Sequence, residues 1–242
     1  MTKTVLITGA GGLIGSVLRN TTAERYNIRA LSLDPIPGAN AITADIGDLN
    51  ASLAACEGMD SIVHLAANGS ERASWDEVLP TNIVGTYNVF EAASRTGVKQ
   101  VIYASSNHAV GTYDMERDPE IYHTGLPVVN HLVPVRPDGF YGVSKCFGEA
   151  LGRYYADHRG LNVICLRIGW INRQNTPEGG IERIRAMWLS HRDCVQLIEK
   201  SLIADHVKFD IFYGISNNRP HFYDLEHVRE IIGYVPLDGE DI

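Results

Sequence analysis

Thr4-Val5-Leu6-Ile7-Thr8-Gly9-Ala10-Gly11-Gly12-Leu13-Ile14-Gly15 is the stretch on which the fold turns. A short aliphatic run passes straight into glycines, and a helical pattern resumes beyond them. Strand, tight turn and helix in that order let backbone amides and a helix N-terminus meet a pyrophosphate. Glycine-rich turns are common, so the flanking strand and helix carry the meaning, with Gly9, Gly12 and Gly15 as the phosphate-side glycines.

Further along, Asn27 to Leu33, Ser61 to Leu65, Val101 to Ser105, Asn162 to Ile168 and Phe209 to Tyr213 read as strands. Between them, Trp75 to Thr96 carries Val78, Leu79, Ile83, Tyr87, Phe90 and Ala93 at helical spacing, closed by Gly97. Gly139 to His158, Cys194 to Leu202 and Leu225 to Ile232 read as further helices. The alternation predicts an α/β fold, a Rossmann-type doubly wound parallel sheet forming one domain over residues 1–242. Segments around 170–242 are expected to add a small C-terminal substrate-binding lobe. Two stretches break the rhythm: Thr112 to Asp138, with four prolines, and the polar Trp170 to Gly180. Both follow strands, so both are expected at the carboxyl edge, where open α/β sheets bind ligands.

Asp34 ends the second strand about twenty residues after the glycines, where an acid accepts hydrogen bonds from an adenosine ribose and repels a 2′-phosphate. No Arg or Lys follows it closely, which favours NAD over NADP. Asp45 and Ile46 are placed near the adenine, and small Ala66 and Ala67 let backbone approach the cofactor. Tyr141-Gly142-Val143-Ser144-Lys145 opens the helix after the proline-rich stretch. Residues four apart share a helix face, so a phenol and an ammonium point into one cleft. Positive charge beside a tyrosine favours its phenolate and makes it usable as a base. Ser105 and Ser106 end the preceding strand, and one of their hydroxyls can orient a substrate oxygen.

Composition narrows the classes. The 242 residues are 45% hydrophobic, ample for a core, which excludes a disordered or fibrous chain. Lys+Arg 21 against Asp+Glu 29 gives a net charge of -8 without a basic run, so a nucleic-acid partner is not expected. No apolar run approaches the ~20 residues that span a bilayer, and Val5 to Ile7 is too short for a signal segment, so a cytoplasmic protein without membrane contact is expected. The 4 cysteines and 9 histidines are scattered without ligand spacing, and no metal is predicted.

With these residues in view, the chain resembles the extended short-chain dehydrogenase/reductase family, also called the NAD-dependent epimerase/dehydratase family. Thr8 to Gly15, Asp45-Ile46, His64-Leu65-Ala66-Ala67, Asn82, Ser105-Ser106 and Tyr141 to Lys145 fall in the family's order. The resemblance implies NAD as cofactor, held by Gly9, Gly12, Leu13, Ile14, Gly15, Asp34, Asp45, Ile46, Leu65, Ala66, Ala67, Asn82, Tyr141 and Lys145. It implies Tyr141 as acid/base, Lys145 on the nicotinamide ribose and Ser106 on the reacting oxygen.

Ser105-Ser106-Asn107-His108, Asp138 to Glu149, Arg167-Ile168-Gly169 and Trp188 to Asp193 look most like the uronate dehydrogenases. Those enzymes oxidise C1 of a hexuronate to a lactone. On that likeness a small acidic sugar is the expected substrate, met by Ser70, Ser106, Asn107, His108 and Arg183. An arginine fork suits a planar carboxylate, with Arg185 as competitor. Trp170 departs from the relatives' small polar residue, and both irregular stretches look longer than theirs. A sugar phosphate therefore stays open, with Arg173, Arg183, Arg185 and Arg192 as phosphate candidates. An epimerase or dehydratase holding NAD tightly, and a non-catalytic NAD-binding module, are the other readings; a homo-oligomer is compatible with all of them.

Overall fold

The computed structural model describes residues 2–37, 40–115, 129–219 and 221–240. In chain order the elements are β1 (Thr4–Thr8), α1 (Leu13–Thr22), β2 (Asn27–Ser32), β3 (Ala41–Thr43), α2 (Leu49–Cys56) and β4 (Ser61–His64). After α3 (Trp75–Val78), a π-helical turn at Leu79–Gly85 and α4 (Thr86–Thr96) come β5 (Gln100–Ser106) and α5 (Thr112–Met115). The rest are α6 (Phe140–Arg159), β6 (Asn162–Ile168), α7 (Glu182–Ala186), α8 (His191–Leu202), β7 (Phe209–Gly214) and α9 (Glu226–Ile232).

The strands form one parallel sheet in the order β3-β2-β1-β4-β5-β6-β7. The chain runs outward from β1 through β2 to β3, then crosses back so that β4 lies on the other side of β1. That reversal opens a crevice at the carboxyl ends of β1 and β4, the switch point of a doubly wound sheet. Successive residues of a strand face opposite sides, and the cores follow that alternation. Val5 and Ile7 pack with α1, α8 and α9, whereas Leu6 packs with α2, α4 and α6. Parallel strands covered on both faces bury almost every residue; β4 and β5 are buried throughout.

Several expectations need adjustment. The sequence reading missed β3 and α2. β3 is a three-residue edge strand paired only with β2, and α2 is built of small residues with little amphipathic contrast. The helix expected over Trp75 to Thr96 is interrupted by the π turn at Leu79–Gly85, whose Pro80 has no N–H to donate. Of the stretch after residue 170, α8, β7 and α9 belong to the body of the sheet. A small third core, with Val110, Val129, Met187, Ile215 and Phe222, stands above the carboxyl edge. Residues 116–128 of the proline-rich stretch lie outside the described residues.

Candidate functional site

The glycine turn seals the floor of the crevice. Gly9 has φ +67, and a Cβ there would stand 2.6 Å from the Ala66 amide nitrogen, so the turn after β1 and the loop after β4 touch backbone to backbone. Three cavities run from this point along the carboxyl edge. The inner one, about 540 Å³, is lined by Gly9, Gly12, Asp34, Asp45, Ile46, Leu65, Ala66 and Ala67 among others. The middle one, about 400 Å³, shares Gly9, Gly12, Leu65 and Ala67 with it and adds Leu13, Ile14, Gly15, Ser106, Tyr141 and Lys145. The outer one, about 540 Å³, shares Ser106, Tyr141, Gly69, Gly169 and Ile171 with the middle and adds Asn107, His108, Trp170 and Arg183. A glycine cradle, an acid at the end of β2 and a continuous groove past Tyr141 fit an extended dinucleotide, with its adenosine in the inner cavity and its reactive end beside Tyr141.

Tyr141 and Lys145 are one turn apart on α6. Lys145 Nζ lies 5.4 Å from the Tyr141 ring centroid and donates to the Ala104 carbonyl at 2.7 Å. Burial lowers the Lys145 ammonium to about 8, against the upward pull of the Glu149 carboxylate. Burial also raises the Tyr141 phenol, while its hydrogen bond with Ser106 works the other way. Behind them His64 is fully buried, and burial together with the Lys145 charge lowers it to about 3, so it stays neutral. Its ring nitrogens lie 2.7 Å from Thr8 Oγ1 and 3.2 Å from Thr86 Oγ1, tying β1 and β4 to α4.

The two serines of β5 part company because strand side chains alternate. Ser105 turns back and donates to Glu149 at 2.6 Å. Ser106 reaches the cavity, where its hydroxyl bonds to Tyr141 and also accepts from the His108 amide at 3.2 Å. Glu149 takes a two-pronged bond from buried Arg167 of β6, both arms at 2.9 Å. Arg167 in turn donates to the Tyr213 hydroxyl at 2.9 Å, and Tyr213 to the Asn130 carbonyl at 3.2 Å. This buried chain fixes α6 against β6 and β7. Half-buried His108 has Nδ1 2.7 Å from Asp138 Oδ2, and its ring stands edge-on to Tyr141 at 5.5 Å. A Cβ on Gly142 would meet the His108 carbonyl at 2.2 Å, so glycine is what lets α6 start this close to the loop.

The profile of the NAD dependent epimerase/dehydratase family matches residues 5–178. The chain belongs to that family. It is 39% identical to an NAD-dependent glucose-6-phosphate dehydrogenase of Haloferax volcanii, over 99% of this chain and 95% of the relative. It is 36% identical to a uronate dehydrogenase of Pseudomonas putida, over 98% of this chain and 85% of that protein. Among solved structures, a mutant uronate dehydrogenase from Agrobacterium tumefaciens complexed with NAD superposes with a TM-score of 0.85 at 36% identity, covering 98% of this chain and 85% of the other. These full-length dehydrogenase relatives, and not the family alone, make this chain an NAD-dependent oxidoreductase acting on a CH–OH group.

Every residue that the sequence reading assigned to cofactor or substrate lines one of the three cavities, except Asn82 and Ser70. Asn82, expected as a cofactor contact, lies buried in the π turn. Its amide accepts from Asn68 N at 2.7 Å and donates to the Asn68 carbonyl and to Ser144 Oγ, both at 3.0 Å. It thereby holds the loop that lines the groove. Ser70 is exposed on that loop, whose Gly69 and Glu71 line the outer cavity. Of the four candidate arginines, Arg183 lines the outer cavity; Arg185 is paired with Glu240, Arg192 with Asp238, and Arg173 is exposed. Sequence reading did not single out Asp138 behind His108, the Glu149–Arg167–Tyr213 chain, or Arg19 in the inner cavity. Only Glu149 left a signal, four residues after Lys145 on the same helix face. Among the described residues no cluster of metal-ligating side chains occurs, and no helix is long and apolar enough to cross a membrane.

Proposed function

We propose that this protein is an NAD-dependent dehydrogenase that oxidises C1 of a hexuronate or related acidic sugar to a lactone, with Tyr141 as base. One observation carries the reading: Ser106 and Tyr141 line both the groove fitted to NAD and the outer cavity, which holds Arg183. When bound, NAD supplies the hydride acceptor. Tyr141 takes the C1 hydroxyl proton, and Ser106 orients that oxygen. Burial raises the Tyr141 phenol, and the Lys145 ammonium, with Nζ 5.4 Å from the ring centroid, and the Ser106 hydrogen bond both favour the phenolate against that burial.

In the outer cavity Arg183 holds the substrate anion, with Asn107 and His108 on the sugar hydroxyls. The Haloferax relative favours a second reading, a sugar phosphate, because an arginine fork accepts phosphate as well as carboxylate. Incubation with NAD and a panel of hexuronates, aldose phosphates and neutral aldoses, followed by NADH absorbance, decides between them. Turnover of uronates alone supports the first reading and turnover of phosphates alone the second. Isomerised sugar without net NADH would replace both by an epimerase.

A further inference from the structure

We infer that Arg19 is a second determinant of cofactor choice, forming beside Asp34 a half-site for an adenosine 2′-phosphate. Arg19 lies six residues into α1, about 9 Å along the helix axis from its start. Helical side chains lean toward the N-terminus, so the guanidinium runs back to the glycine turn. There Nε donates to the Ala10 carbonyl at 3.0 Å, while the Ala10 amide donates to the Leu31 carbonyl at 3.1 Å. The turn, Arg19 and the end of β2 are thus locked together. Half-buried Arg19 lines the inner cavity with Ser32, Leu33 and Asp34, and also borders a second surface cavity with Asn27 and Asn40. Among the described residues no carboxylate pairs with Arg19. Absence of a side chain on Gly11 keeps the space open, because a Cβ there would stand 2.8 Å from Ser32 Oγ.

An acid at the end of β2 favours ribose hydroxyls, and an arginine in the same place accommodates a phosphate. This cavity has both. Asp34 repels a 2′-phosphate, Arg19 attracts it with the Nη groups left over from the Ala10 bond, and discrimination against NADP is weaker than Asp34 alone would impose. The inference rests on NAD binding and not on the sugar, so it stands or falls separately from the substrate reading.

Equilibrium binding of two fragments tests it without turnover: 5′-AMP, which lacks the 2′-phosphate, and 2′,5′-ADP, which carries it. Arg19→Gln should weaken 2′,5′-ADP by about 10-fold and 5′-AMP by less than about 2-fold, since the forked charge serves only the added phosphate. Asp34→Asn should tighten 2′,5′-ADP by about 10-fold when Arg19 is present and by much less in Asp34→Asn/Arg19→Gln, because the two charges act on one group. Equal losses for both fragments, or a gain in the double variant as large as in Asp34→Asn alone, would overturn the assignment and leave Arg19 as a staple of the turn. Should Arg19→Gln fail to fold, Arg19→Lys carries the test: it keeps the charge without the fork, and weakening confined to 2′,5′-ADP supports the half-site while equal weakening rejects it.

Discussion

The inner end of the crevice is built round the backbone of the β1–α1–β2 unit and the loop after β4, with the segment after β3 beside them, whereas the outer end is assembled from five separate segments. Those segments contribute Gly69 and Glu71, Ser106 to His108, Tyr141, Gly169 to Ile171, and Gly179 to Met187. A backbone cradle tolerates little variation, because its atoms already touch: Gly9 against Ala66, Gly15 against the Gly9 carbonyl. A side-chain cavity can be refitted one residue at a time without moving the sheet. The relatives show the same division, since a glucose-6-phosphate dehydrogenase and uronate dehydrogenases share NAD chemistry while their names differ in the sugar.

Where the two ends meet, Tyr141 serves both, so its loss should be the largest single effect. Tyr141→Phe keeps the ring and removes the hydroxyl, and turnover should fall at least ~100-fold with NAD binding nearly intact. Full activity by steady-state kinetics would break the comparison, because the proton would then have to be taken by another residue of the outer cavity, such as His108.

Lys145 sits at the same seam and should show the opposite sign in stability. Burial lowers it from 10.5 to about 8, so below about pH 8 the folded protein holds a buried charge that unfolding would release to water. Between about 8 and 10.5 the unfolded chain binds more protons than the folded one, and stability rises with pH through that window. Lys145→Met removes the charged group and also the bond to the Ala104 carbonyl. The difference should stabilise the protein without cofactor by about 2 kcal/mol at pH 7, while activity is lost. Thermal unfolding of both proteins at pH 7 and again near pH 10 checks this; the gain should shrink at the alkaline end, and an unchanged gain would mean that burial of the charge is not its source.

At the outer end the effects should be smaller and confined to the sugar. Arg183→Lys should raise KM for an acidic sugar by about 10-fold, equivalent to ~1.4 kcal/mol, since an ammonium does not reproduce the fork. Arg185→Lys is the matched control two residues on; its side chain is turned to Glu240, and KM should change by less than about 2-fold. Equal effects at the two positions would place the anion elsewhere and loosen the distinction between the two ends.

Most of the inner end was legible in the sequence. The run into Gly9 to Gly15, the spacing to Asp34 and the Tyr141–Lys145 step are local patterns whose geometry follows from the strand and helix periods alone. The miss at β3 and α2 has a local cause too: three edge residues and a helix of small side chains carry almost no periodic contrast. The bonds of Asn82 to Asn68 and Ser144 were not legible, because nothing in the sequence tells which loop a buried amide will meet.

Sequence by itself determined the strand–turn–helix start, the alternation that makes a parallel doubly wound sheet, the family and its NAD chemistry, because these depend on residues within a turn or two of one another. Tertiary structure alone decided that Arg185 and Arg192 turn to Glu240 and Asp238, that Ser105 turns back to Glu149, and that Arg19 stands beside Asp34. It also decided that Glu149, Arg167 and Tyr213 form one buried chain. Each of these depends on where separate segments come together across the carboxyl edge, and the direction of a side chain there is set by packing partners far away in the chain.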